Sequence, residues 1–289
     1  MAEPLRTTLP FDPTPQAPKH KTPPGACDCH AHVFGPFDRF PLQAKRGYTP
    51  GLASKYDYRR MLDRIGVARG VLVQPSVYGT DNRAMEEALA ADPKRLRGVA
   101  VLEPTVSEAE LDRLHALGVR AIRLSDSMVG AVSLRHLEPM ATRLKPRGWH
   151  IQLMVDVTAD PALVERVAHL AVPAVFDHMG SMRPEKGLGD PGFRGLLQLL
   201  AKRGCWVKLS GPYLDPKARP PYAAVTPIAS ALAAAAPDRC LWGTDWPHPA
   251  VASHMPDDGQ LLDLIAEWVP DAASRRRILV DNPASLYQF

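Results

Sequence analysis

From residue 26 to its C-terminus the sequence alternates eight times between a short apolar run and a longer stretch with a 3.6-residue apolar period. The short runs are 27–33, 70–75, 98–102, 119–124, 150–155, 173–177, 205–210 and 240–244. Most are rich in β-branched residues and apolar without alternation, as strands covered on both faces should be. The stretches between them predict helices near 56–66, 82–91, 107–117, 133–146, 160–170, 191–203, 222–236 and 258–269. In the first, Tyr58, Met61, Leu62 and Ile65 share one face at i, i+3, i+4 and i+7. Eight strand–helix units predict an α/β fold, a (β/α)8 barrel with its catalytic groups at the carboxyl ends of the strands. A doubly wound open sheet is the alternative; it is the weaker one because no Gly-x-Gly-x-x-Gly follows the first strand.

The domain organisation expected is a proline-rich arm over residues 1–25, carrying seven of the thirty prolines, followed by one barrel over 26–289. The arm is read as extended and ordered only where it lies on the barrel. Thirty-five basic and 31 acidic residues are scattered along the chain. That pattern argues against a nucleic-acid partner; the short Arg275-Arg276-Arg277 cluster is read as the solvated face of a late helix. No apolar stretch suits a signal peptide or a membrane span. Cys27, Cys29, Cys205 and Cys240 form no Cys-x-x-Cys pair and fall in apolar runs, so buried, reduced thiols and a cytoplasmic location are expected. The oligomeric state is left open.

Several strand ends carry chemistry. His30 and His32 end the first strand and should project from one side, because side chains alternate between faces. Two neighbouring buried imidazoles cost free energy unless each is bonded or ligated. His178 follows the apolar run 172–176, and Asp245 lies between Gly243-Thr244 and Trp246-Pro247 at the end of the last strand. Asp28 shares the parity of His30 and His32 at a deeper level, where a structural hydrogen bond and a supporting role are equally open. Arg123 shares inward parity with Ser125, and an arginine inside a barrel needs an anion, from the protein or from a substrate. Tyr48 is a further substrate contact, and Glu103 reads as a salt-bridge partner or a ligand. His20, His115, His136, His150 and His169 read as surface or satisfied core.

The stretches Asp28-x-His30-x-His32-Val33-Phe34-Gly35-Pro36, Tyr48-Thr49-Pro50, Gly79-x-Asp81-Asn82-Arg83-Ala84-Met85, Gly118-Val119-Arg120, Asp177-His178-Met179-Gly180, Trp242 to Pro249, His254 to Gly259 and Asp281-Asn282-Pro283 together resemble the amidohydrolase superfamily. The likeness is to its lactonase branch, that of the 2-pyrone-4,6-dicarboxylate lactonases, and runs from about Gly25 to Tyr287. The resemblance implies a distorted (β/α)8 barrel that hydrolyses a cyclic ester, a small-molecule substrate. It implies Asp245 as general base, with His30, His32 and His178 polarising the lactone carbonyl. Arg123, Tyr48 and Ser76 fall on its substrate-contact positions, and Tyr78, Met154, Tyr213 and His248 are read as further pocket residues.

The sequence departs from that branch in substrate anchors. The loops 125–130 and 211–215 contain no arginine, and Met154 stands where a tyrosine is expected. Losing two cationic anchors, each worth about 1.5–3 kcal/mol, is incompatible with tight binding of the same dianion. The expected substrate is a lactone with one carboxylate or with a sugar-like or apolar body. Lys208 supplies a further cation if it points inward. Residue chemistry alone would make three histidines and an aspartate a zinc site. Against it, strand 4 offers Arg123 rather than a bridging lysine or glutamate, and the 150–155 run ends without a ligating histidine. The expectation is therefore no cofactor. One zinc on His30, His32, His178 and Asp245, in a hydrolase or decarboxylase of the same superfamily, is the alternative, and a non-catalytic ligand-binding barrel is the second.

Overall fold

The structure, a computed structural model, describes residues 6–202, 204–215, 218–249, 251 and 253–289. Eight parallel strands form one sheet in sequential order: β1 Cys27–Ala31, β2 Arg69–Val73, β3 Leu96–Ala100, β4 Val119–Leu124, β5 His150–Leu153, β6 Ala174–Phe176, β7 Trp206–Leu209 and β8 Cys240–Trp242. Helices α1 Lys55–Ile65, α2 Arg83–Ala91, α3 Glu108–Leu117, α4 Leu137–Leu144, α5 Pro161–Ala168, α6 Pro191–Ala201, α7 Thr226–Ala235 and α8 Asp258–Trp268 follow the strands in turn. Each predicted strand and helix is present, with ends that differ by a few residues. The 133–146 helix is broken into α4 flanked by 3-10 turns at 134–136 and 145–147. Arg203, at the predicted end of α6, lies outside the described residues.

Local sequence sets these elements. Ser54 and Asp57 make reciprocal capping bonds at the start of α1, and Gly66 ends it with φ 73°. Its apolar stripe, Tyr58, Met61, Leu62 and Ile65, is fully buried against the barrel, each aliphatic side chain contributing about 1.5–3 kcal/mol. Inside the barrel a second apolar layer joins Cys27, Cys29, Val71, Val99, Ala121 and Val175. The C-terminal helix α9 (Asn282–Tyr287) adds Leu286 and Tyr287 to that layer at the amino ends of the strands. The four cysteines are free and buried.

The barrel closes at its functional end. Ala31 and Trp246 form a parallel bridge between the β1 and β8 segments. His32 N–H donates to Trp246 O at 2.7 Å, and Asp245 N–H donates to His30 O at 2.8 Å. The register of β1 against β2 slips between Asp28 and Ala31, a bulge that breaks the alternation of faces. This corrects the parity assigned to Asp28. Cys27 and Cys29 face the barrel interior, His30 and His32 face the mouth, and Asp28 turns toward α1 to accept from Tyr58 OH at 3.1 Å. Its carboxylate also accepts from His30 N–H at 3.1 Å, Thr244 N–H at 2.9 Å and Thr244 Oγ1–H at 2.7 Å.

The N-terminal arm lies on the barrel over its described length. Arg6–Thr7 pairs in parallel with Tyr48–Thr49, Phe11 packs 5.0 Å from Trp246, and Gln16 N–H donates to Asp257 at 2.8 Å. No helix among the described residues is long and apolar enough to cross a membrane.

Candidate active site

Asp245, His30, His32 and His178 converge at the carboxyl ends of β8, β1 and β6. His30 Nε2 is 3.6 Å and His32 Nε2 3.2 Å from Asp245 Oδ1. The His30 ring lies 4.5 Å from His178 and 5.1 Å from His32, centroid to centroid. All four side chains are buried. His178 and Asp245 both sit in left-handed backbone, at φ 48° and 64°, which costs a non-glycine residue about 1–3 kcal/mol and marks sites where geometry is imposed for use.

Each group is oriented by a further bond. His32 Nδ1 donates to Val73 O at 2.7 Å, which turns its Nε2 toward Asp245 Oδ1 at 3.2 Å. His178 Nδ1 is 3.0 Å from Ser210 Oγ, leaving its Nε2 for the mouth. Asp245 Oδ2 accepts from Tyr213 OH at 2.9 Å. Burial alone would raise the Asp245 carboxyl; the surrounding imidazoles, His178 foremost and the His32 hydrogen bond next, reverse that and hold it well below the usual carboxylate range. Burial lowers the basicity of both His30 and His178, and at His30 it does so well below the ordinary imidazole range, which favours the neutral ring there.

A glycine makes this closure possible. A Cβ on Gly243 would lie 2.8 Å from both His30 N and His30 Cβ, the first of which is backbone and cannot give way. Gly243→Ala is expected to push β1 off β8, costing about 1–3 kcal/mol in thermal unfolding and lowering turnover through a displaced His30.

A family model described as amidohydrolase matches residues 27–289. The chain belongs to that amidohydrolase family. A Comamonas testosteroni protein described as 2-pyrone-4,6-dicarboxylate hydrolase is 39% identical over 284 residues, 94% of this chain and 93% of that one. A Rhizobium radiobacter 4-sulfomuconolactone hydrolase is 37% identical over 270 residues, 92% of this chain and 90% of its own. The solved structure of a putative 2-pyrone-4,6-dicarboxylic acid hydrolase from Pseudomonas putida superposes with a TM-score of 0.80 at 35% identity, covering 91% of this chain and 97% of that one.

The remaining residues read from the sequence take varied places in this amidohydrolase. Arg123 is buried, and its guanidinium donates to Gln74 O at 2.6 Å with no carboxylate ion pair among the described residues. Tyr48 is half-buried, and burial raises its hydroxyl while the nearby Arg123 charge and the Ser76 side chain oppose that rise. Ser76 is itself buried. Met154 lines a cleft of about 430 Å³ that opens beside His178, together with Met179, Arg183, Pro212 and Leu214. Tyr78 OH accepts from Gly35 N–H at 2.8 Å, a structural use. Tyr213 and His248 stand behind Asp245 rather than in the cleft: His248 Nδ1 donates to the Tyr213 hydroxyl at 2.8 Å, and its Nε2 faces Asp258 Oδ1 at 3.2 Å. Glu103 is exposed, which removes the ligand reading.

Asp177 and Gln152 have no site role in the sequence analysis above. Both are fully buried inside the barrel, with Gln152 Nε2 donating to Asp177 Oδ1 at 3.0 Å. Lys208 does point inward, but its Nζ lies 3.2 Å from Asp177 Oδ1 and 3.1 Å from His30 Nδ1, beneath the mouth. The available signal was three polar residues at similar depth on neighbouring strands that are otherwise apolar. His30, His178 and Asp245 each present a donor atom within 4.8 Å of the others, which are the donor types of a zinc site.

Proposed function

We propose that this amidohydrolase opens a lactone by water attack, with Asp245 as general base, His30 and His178 facing the ester carbonyl and His32 holding the Asp245 carboxylate. The observation that carries the reading is His30 Nε2, buried and without a hydrogen-bond partner among the described residues, aimed at the same point as His178 and the Asp245 carboxylate. A buried polar atom left unpaired costs about 1–3 kcal/mol, a cost that a bound substrate oxygen removes.

In this mechanism the Asp245 carboxylate accepts a proton from water as the water oxygen adds to the lactone carbonyl carbon. The oxyanion formed is met by N–H donors of His30 and His178, while His32 holds the carboxylate in place. Collapse of the adduct breaks the ring carbon–oxygen bond, and Asp245 returns the proton to the leaving oxygen. A zinc-held water is the competing chemistry. It needs a bare His30 Nε2, and the Lys208 ammonium behind that ring opposes this, so the donor set does not fit zinc and no step passes through a metal.

Arg123 binds a substrate carboxylate, since it is buried at the mouth without an acidic partner among the described residues. The Met154, Met179, Pro212 and Leu214 walls receive the rest of the molecule, an apolar or sugar-like body. A dianionic pyrone is expected to bind less tightly here, because the loops 125–130 and 211–215 carry no arginine and Lys208 is committed to Asp177, which leaves the exposed Arg183 as the second cation beside the cleft. The test is acid release across a panel of neutral, monoanionic and dianionic lactones. Monoanionic lactones are expected to be preferred. Arg123→Met is expected to raise their KM at least about tenfold, the scale of one charge-assisted contact, with little change for neutral ones. Efficient turnover of the dianion, or equal impairment of Arg123→Met on charged and neutral lactones, contradicts this pocket.

A further inference from the structure

A file of buried polar side chains runs down the barrel beneath the reaction centre, and the hydrolytic steps leave it without a task. Tyr287 OH donates to Gln152 Oε1 at 3.4 Å, Gln152 Nε2 donates to Asp177 Oδ1, and Lys208 Nζ bridges Asp177 Oδ1 and His30 Nδ1. Lys208 and Asp177 are both fully buried. A buried ion pair is a poor source of stability, because apolar replacements of similar volume often do as well. Its place beneath His30 points to a different task.

Lys208, paired with the buried Asp177 carboxylate at 3.2 Å, is held as an ammonium with three donors and no acceptor, so its 3.1 Å contact with His30 Nδ1 is a hydrogen bond only if Nδ1 is bare. The competing acceptor for an Nδ1–H is Asp177 Oδ1, 3.4 Å from that nitrogen, but this oxygen already accepts from Lys208 at 3.2 Å and Gln152 at 3.0 Å. A neutral ring carries one proton, which therefore sits on Nε2, the atom that faces the substrate carbonyl. A metal binds the lone pair of an imidazole nitrogen and not its N–H. The group behind a ring nitrogen thus decides whether the nitrogen in front donates or ligates.

We propose that Lys208 is a positioning residue that locks His30 in the Nε2–H tautomer, making the ring an oxyanion donor and barring zinc from a donor set of His30, His178 and Asp245 that is otherwise spaced to hold it. With Lys208 gone, Nδ1–H turns to Asp177, Nε2 becomes bare, and the same three residues become a zinc site.

Nitrogen-15 NMR of the histidine-labelled protein, with His30 assigned by its loss in His30→Gln, reads the tautomer directly. The wild type is expected to show protonated Nε2 and bare Nδ1, and Lys208→Met the reverse. Calorimetric titration with zinc alone is expected to show binding about 10–100-fold tighter in Lys208→Met than in the wild type, the range for changing a group behind a metal-binding histidine. An Nδ1–H tautomer in the wild type overturns the proposal whether or not the variant folds. Equal zinc affinity in the two proteins overturns it as well. The proposal rests on the hydrolase reading for its consequence to turnover alone. Both measurements are made without substrate, so a protein that opens no lactone yet shows the Nε2–H tautomer sinks that reading and upholds this one.

Discussion

Asp245→Asn is expected to lower turnover at saturating substrate by about 100-fold or more, the usual scale for loss of a general base, while substrate still binds. The amide keeps the shape of the side chain and can accept from Tyr213, which donates to Asp245 Oδ2 at 2.9 Å, but it cannot take a proton from water. Retention of more than about a tenth of the wild-type rate would remove Asp245 from that role. The pH dependence has a matching sign. A carboxyl held well below its ordinary value stays ionised across neutral and mildly acidic pH, so it gives no acid limb to kcat/KM above about pH 4. Its contribution to stability is present above the unfolded value and is lost only as pH falls through the folded one.

The second large effect is on folding. Asp28→Ala leaves Tyr58 OH, His30 N–H, Thr244 N–H and Thr244 Oγ1–H without their acceptor in a fully buried pocket. Breaking such a cluster costs about 3–5 kcal/mol, equivalent to a fall of roughly 6–20 °C in Tm for a chain of this size. Scanning calorimetry against the wild type measures it. A Tm within 2–3 °C, roughly the effect of 1 kcal/mol, would show that Asp28 does not hold the β1–β8 closure.

Asp28 also shows how far the sequence could be read. The alternation of strand and helix placed eight strands within a few residues, because runs covered on both faces and stripes at 3.6-residue spacing are local properties. The parity argument then carried His30, His32 and Arg123 to the mouth. It failed at Asp28, where the bulge in β1 reverses the face, and a bulge depends on register against β2 and β8 rather than on residue types. Lys208 posed a question that local pattern could not answer, since only the positions of Asp177 and His30 on two other strands fix where its ammonium lies. Tyr213 and His248 occupy loops at the right end of the barrel, a position that by itself points them toward the substrate. Their path back to Asp245 and Asp258 follows from loop geometry that no periodicity encodes.

The central claim is a carboxylate-activated water at a site that uses no metal. Acid release from a monocarboxylate lactone by metal-depleted protein in excess chelator tests it most directly. The account predicts the full wild-type rate with well under one zinc per chain. Activity abolished by the chelator and restored by one equivalent of zinc would contradict it.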